Sequence, residues 1–450
     1  MSFLKIGGRT ENGLAKGVSV DYNGRFIPSN VYQAILTGDT PTILDNERKK
    51  IKSKYIDSEL SLENDISDWT RNANGTIETD SIIKEDGDYS IKFSTSEYTN
   101  FFNAYVEFAN PMDFTDYSHV RLWMQVDDVD ITDRIVFMFM CNDPEDYFYI
   151  SARAFYTRKF SETTEITLSK SVFSTHGSPS WSDVHKLCIQ MRSTENHSMV
   201  VRMQNIRMVK QKPKNGKMIL RFDDGLSSVY DLAMPILRGY GVPATCHVLP
   251  EYSLSGQRSE APSYGGTESM SLEELKYLHS LGWTISSHTW MHKGFGSDAN
   301  GHYCQAFNDL KATQAWLINN GFGGGYRSHV FGNHSRTIET EKASQDIFVV
   351  DSNSDGYGDT LDTLPWGGNS IIHTYCDEMT LDQLKDLVDK TASEKRLCIP
   401  FFHRFKNTES DTTEMYIETF KEFIKYGVHK DNFDFMTMDD LLDCTSVAMR

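Results

Sequence analysis

The sequence predicts a multidomain chain in which an antiparallel β-sandwich precedes an α/β domain built on a parallel sheet or barrel. Three observations lead there. At 450 residues the chain exceeds what one ordinary core accommodates. From about residue 58 to 210, strand-length alternating stretches such as YSIKFSTS, VRLWMQVDDV and RIVFMFMC are separated by turn signals, with almost no helical period. After residue 213, apolar strand runs alternate with amphipathic helical stretches such as LEELKYLHSLG and LDQLKDLVDKTASEK.

Taken in order, residues 1–55 are turn-rich and polar (GGRTENG, DYNGRF, TGDTPT) and end in the charged run DNERKKIKSK. That run reads as helical or linker-like, too short to close a core of its own. Residues 56–212 form the expected sandwich. Most of its aromatics, Trp69, Trp123, Trp181 and the tyrosines near 147–156, are expected in the core, and those left exposed would be able to stack on sugars. The stretch QKPKNGK at 211–217 reads as a linker. In residues 213–450, KMILRF is expected as a buried parallel strand, LSSVYDLAMPILRGYG as the following helix and VPATCHVLP as the next strand.

Composition narrows the function. The chain is 39% hydrophobic and 12% aromatic, enough for sizeable cores, and no stretch approaches the roughly 20 apolar residues of a membrane span. A formal net charge of −18 argues against nucleic acid or an anionic membrane held by a broad basic surface. The N-terminus lacks the apolar core of a secretory signal. Seven scattered cysteines without a CxxC pair suggest free thiols made in a reducing cytosol.

Two constellations suggest chemistry. In GKMILRFDDGLSSVYD, Asp223 and Asp224 end the α/β domain's first strand, where parallel α/β folds collect active-site groups, although Asp-Asp-Gly also suits a solvated turn. In GWTISSHTWMHKGF, His288 and His292 close another strand. A His-x-x-x-His spacing sets two imidazoles one helical turn apart on one face, able to grip one metal ion. Two neutral imidazoles and one carboxylate suit zinc with a position left open, which frees the second aspartate to act as a base. Adjacent carboxylates make sense when a cation neutralises one of them. Arg327, after a glycine-rich stretch, is suited either to hold a carboxylate base ionised or to form an ordinary ion pair. His403, ending RLCIPFFHRF, reads as a general acid held by Asp351 or Asp355, or as a satisfied core histidine.

In the order FDDG, SHTWMH, YRSHVFG, VVDSNSD and FFH, residues 216–445 resemble the polysaccharide deacetylases, the NodB-homology carbohydrate esterases of family four. The resemblance implies a distorted, incomplete (β/α) barrel with a divalent metal, usually zinc, at the C-terminal face of its strands. By matching position it makes Asp223 the catalytic base, and Asp224, His288 and His292 the metal ligands. Arg327 would orient Asp223, and His403, held by Asp355 or Asp351, would protonate the leaving amine. Trp290, Phe331 and Phe401 would line the substrate groove, Phe401 standing where the family has a leucine beside the acetyl group. The family's proline is missing from the third motif, and no tryptophan follows the aspartate of the fourth.

The implied function is metal-dependent removal of N-acetyl or O-acetyl groups from a bacterial cell-wall or surface polysaccharide. The alternative is a glycan-binding tail protein that retains the fold without catalysis. A sandwich beside such a domain is often a carbohydrate-binding module. The N-terminal segment is similar to the attachment ends of phage tail and baseplate proteins. That likeness implies cytoplasmic synthesis, release with a virion, and as partners other tail proteins, the glycan and further copies of this chain.

Overall fold

The computed structural model describes residues 5–6, 18–20, 26–27 and, from 41 to 443, all but 63–64, 97–100, 152–162, 195–196, 262–266, 297–300, 354–360 and 409–413. The chain divides into two compact units. One comprises Ile56–Lys212 with Pro365–Gly368; the other comprises Met1–Tyr55, Pro213–Leu364 and Asn369–Arg450.

The first unit is a sandwich of two antiparallel sheets. One runs in the order Ser174–His176, Tyr147–Ser151, Thr132–Met140, Val184–Ser193, Phe102–Met112, Trp69–Arg71. The other runs Thr163–Ser169, His119–Val126, Val200–Gln211, Ser90–Thr95, Gly75–Asp80, with Ile56–Ser61 alongside the second half of Val200–Gln211. Alternation along each strand sends one set of side chains inward. Leu122 and Met124, Phe137 and Phe139, Leu187 and Ile189, and Met203 meet in one core. Two of the tryptophans belong to it: Trp69 meets Phe93 edge to face at 5.1 Å, and Trp181 stacks on Phe148 at 3.9 Å. Trp123 is also buried, whereas Tyr149 is exposed; residues 152–156 lie outside the described residues.

In the second unit, eight parallel strands run in the order Ser370–Ile372, Val350–Asn353, Ser328–Val330, Thr284–Ser287, Thr245–Val248, Arg221–Phe222, Pro400–Phe402, Thr374–Tyr375. The two edge strands are separated in the chain by His373 alone, so the sheet curls into a nearly closed barrel. Helices pack outside it. Leu272–Ser280, started by a Ser271/Glu274 capping box, contributes Leu275 and Leu278, and Leu381–Glu394, started by Thr380/Gln383, contributes Leu384 and Val388.

The run KMILRF behaves differently from expectation. Gly216–Met218 pairs with Leu397–Cys398 and Phe433–Phe435 in a separate three-stranded sheet, and only Arg221–Phe222 enters the barrel. The helix after it is also divided, into a π-helical turn Val229–Ala233 and an α-helix Met234–Tyr240 that carries Pro235 in its first turn and ends on left-handed Gly241. Proline has no N–H for the preceding turn, which favours such a break.

The charged run near the N-terminus, expected to be helical or linker-like, lies in a docked helix, Pro41–Ser53. Leu44 and Ile51 are buried, and Arg48 donates from Nε to the carbonyl of Val349 at 2.8 Å and from Nη2 to that of Phe348 at 2.6 Å. Tyr55 Oη donates to the carbonyl of Leu441 at 2.5 Å. Residues 41–55 thus belong to the α/β unit.

Candidate active site

The carboxylate pair stands where the strand Arg221–Phe222 leaves the barrel. Phe222 turns outward into the core beside Trp283, so the flanking positions 221 and 223 face the barrel interior. Asp223 N–H still donates to the carbonyl of Phe402, at 3.0 Å. Asp224 and Gly225 then adopt left-handed φ values of 67°, which turns the chain sharply and brings the Asp224 carboxylate back over the strand ends. Both carboxylates are buried. Asp223 is held by Arg221, whose Nε donates to Oδ1 at 2.8 Å while Nη2 donates to Oδ2. Burial pushes the Asp223 carboxyl up, but the Arg221 guanidinium outweighs that and keeps it well below the usual carboxylate range.

His288 and His292 follow the strand Thr284–Ser287 on a tight turn. Thr289 and His292 have φ values of 68° and 61°, so the pair does not lie on the helical turn that its spacing suggests. The left-handed residues bring the two rings to within 5.0 Å all the same. His288 Nδ1 faces the carbonyl of Val330 at 3.1 Å. A carbonyl can only accept, so Nδ1 carries a proton, and in the neutral ring Nε2 presents a lone pair.

That lone pair points at a carboxylate oxygen. His288 Nε2 and His292 Nε2 lie 3.2 and 3.3 Å from Asp224 Oδ1, which is buried and, among the described residues, has no donor aligned on it. Opposed lone pairs at such distances repel unless a cation sits between them. The three ligand atoms lie within 4.8 Å of one another. A tetrahedral zinc centre with bonds of about 2.1 Å has ligand–ligand edges of about 3.4 Å, so the donor set fits a divalent ion in both type and spacing.

His403 ends the strand Pro400–Phe402. Its backbone N–H donates to Asp377 Oδ1 at 3.0 Å, and its Nδ1 meets Asp377 Oδ2 at 2.7 Å. Burial drives the imidazole down, but the Asp377 bond and the negative charge of Asp223 more than offset this, and its pKa is raised. A partly exposed histidine with a raised pKa, in a site where the Asp223 carboxyl is held low, provides an acid and a base together.

Several expected site residues are placed differently. Arg327 is fully buried but reaches Asp443 at 2.5 Å and Asp439 at 3.4 Å; the guanidinium on Asp223 is that of Arg221. Asp351 is engaged by Ser370 Oγ, Asp355 lies outside the described residues, and the carboxylate on His403 is Asp377. Phe331 is packed into a small core with Phe295 and Phe348 instead of walling a groove. Trp290 is half-buried, with its indole N–H on Glu251 at 2.6 Å. Phe401 is buried against the Arg221 guanidinium, 4.8 Å from its ring centre.

Arg221 and Asp377 were both missed, and each had a faint signal. Arg221 is two residues before Asp223, the spacing that puts side chains on one face of a strand. Asp377 depends on register: Tyr375 pairs with Phe401 across parallel strands, so two residues further on Asp377 meets His403.

Residues 210–332 match the family model of polysaccharide deacetylase. Among solved structures, the Xyl-CE4 domain of a multidomain xylanase from the hindgut metagenome of Trinervitermes trinervoides is 16% identical, covering 51% of this chain and 91% of that one at a TM-score of 0.34. A family 4 acetyl xylan esterase from Clostridium thermocellum, in complex with a cobalt ion, is 17% identical over 51% of this chain and 91% of that one, at 0.33. A family 11 carbohydrate-binding module from Clostridium thermocellum, in complex with a β-1,3-1,4-mixed-linked tetrasaccharide, is 12% identical over 34% of this chain and 94% of that one, at 0.26. No curated protein matches the chain.

Proposed function

We propose that this protein is a metal-dependent hydrolase that removes acetyl groups, from nitrogen or oxygen, from a bacterial cell-wall or surface polysaccharide. The observation that supports it most is the convergence of Asp224, His288 and His292 on one point, near an Asp223 carboxyl whose pKa is held low and a His403 imidazole whose pKa is raised. The match of residues 210–332 to the polysaccharide deacetylase model supports the same reaction class.

Asp224, His288 and His292 would hold the ion, zinc by donor type. When bound, it supplies Lewis-acid activation of a water and of the acyl carbonyl. The chain's own residues account for the proton movements. Asp223, anchored by Arg221, accepts a proton from the attacking water as its oxygen bonds to the acyl carbon. His403, anchored by Asp377, donates a proton to the departing sugar nitrogen or oxygen as the acyl bond breaks. Acetate and a deacetylated sugar result, and the two residues exchange their protons with solvent to reset.

The test is acetate release from N-acetylglucosamine oligomers and O-acetylated xylooligosaccharides by the full-length protein, with metal content measured on the same sample. Release that requires the metal and disappears in Asp223→Asn is expected. Metal binding without release from either class would overturn the reading.

A further inference from the structure

Phe401 is surrounded by polar-headed rings. His373, His334, Tyr375 and His403 lie with ring centres 4.8, 5.4, 5.4 and 5.5 Å from its own. Arg221 covers the same phenyl, and through it Asp223 is tied to this cluster. Of these side chains, His334, His373 and Tyr375 have no role in the chemistry described above, and His334 is the one on the loop beside the candidate metal centre.

His334 sits on the loop after Ser328–Val330, two residues beyond Gly332, where an added Cβ would come within 3.2 Å of the His292 backbone. The loop therefore abuts the candidate metal centre. Asn333 and His334 both take a φ of 52°, a left-handed conformation that costs a residue with a side chain and that turns the imidazole in toward Phe401 and His373. Its Nδ1 is buried and meets no hydrogen-bond partner among the described residues, although the ring as a whole is half-buried rather than enclosed. A buried nitrogen without a partner is unfavourable unless something else supplies one. The neighbouring ring, His373, also has no partner on either nitrogen among the described residues, so the two imidazoles do not bond each other.

We propose that His334 Nδ1 contacts the substrate, hydrogen-bonding an oxygen of the sugar or its acyl arm next to the bond that is hydrolysed. This rests on the hydrolase reading above, since it takes Asp223 and His403 as the reacting pair. The same neutral imidazole serves an acyl carbonyl as donor or a hydroxyl as acceptor, according to tautomer. His334 would thus select for an oxygen at a fixed place beside the scissile bond.

Two variants separate the nitrogen from the ring. His334→Phe keeps the ring contacts and removes the polar atom. His334→Asn restores a polar atom near the position of Nδ1, on a residue that accepts left-handed backbone. With full-length, metal-loaded protein and an N-acetylglucosamine pentamer or an O-acetylated xylooligosaccharide, His334→Phe should lower kcat/KM about tenfold. Metal content should stay at the wild-type level, and His334→Asn should recover most of the loss. Equal kcat/KM in His334→Phe and wild type would overturn the contact, as would equal losses in Phe and Asn. Binding is read separately by calorimetry in an Asp223→Asn background, where adding His334→Phe should raise Kd by a similar factor. If acetate is released normally and His334→Phe costs nothing, the contact fails and the hydrolase stands. If no acetate is released yet the binding loss appears, the hydrolase fails and the contact stands. A wild type that neither binds nor hydrolyses these probes overturns both.

Discussion

Arg221 and Asp223 stand two residues apart at the end of one barrel strand and form a bidentate ion pair in a fully buried setting. Removing one partner of such a pair strands the other's charge in the interior, whereas replacing both with apolar residues does not. Arg221→Met should therefore cost about 3–5 kcal/mol, and the double variant Arg221→Met/Asp223→Leu should be close to wild-type stability. Denaturant unfolding of the three proteins measures this. A double variant no more stable than Arg221→Met would mean that the pair is not an isolated unit.

Arg327 offers a contrast. Its partners are Asp439 and Asp443, on the helix Met438–Asp443, and not Asp223. Arg327→Met should destabilise the α/β unit by a similar amount while leaving kcat per folded molecule near the wild-type value. A large fall in kcat at full folding would return Arg327 to the active site.

The two aspartates should separate in metal content. Asp224→Asn, His288→Ala and His292→Ala should each lower metal occupancy, and Asp223→Asn should retain the metal and lose acetate release. Stripping the metal with a chelator should also lower the unfolding midpoint, because an ion present at about 1,000 times its Kd adds about 4 kcal/mol to the folded state. Elemental analysis beside calorimetry checks both. Equal metal loss in Asp223→Asn and Asp224→Asn would reverse the assignment.

The pH profile should follow the two pKa directions. Activity needs Asp223 ionised, and its carboxyl is held well below the usual range, so the acid limb should fall at low pH. It also needs His403 protonated, and its pKa is raised, so activity should be kept up to a pH above the ordinary histidine value and decline beyond it. Asp377→Asn removes the principal upward influence on His403, and the alkaline limb should move to lower pH. Profiles of kcat for wild type and Asp377→Asn check this, and an unmoved limb would remove Asp377 from the role.

The docked N-terminal helix predicts a further effect. Arg48→Ala leaves the carbonyls of Phe348 and Val349 without their donor, at a cost of about 1–3 kcal/mol for each buried group left unsatisfied. A loss of at least about 2 kcal/mol in denaturant unfolding is expected, and no loss would mean that the helix does not hold in solution.

What the sequence by itself determined was local. The strand–helix alternation after residue 213, the capping boxes at Ser271 and Thr380, the two aspartates at a strand end and the His-x-x-x-His spacing all follow from rules that span a few residues. The sandwich was legible because alternation with period two needs no knowledge of partners. Tertiary structure decided which groups meet across the chain. Asp377 reaches His403 over 26 positions because two strands lie parallel in one register, and Arg327 turns to a C-terminal helix that no local pattern places beside it. The spacing of His288 and His292 suggested a helix, yet left-handed residues in a tight turn bring the rings together. A contact between distant segments depends on strand order and register, and these are set by how whole faces of the sheet bury their apolar side chains, which a short window of sequence does not contain.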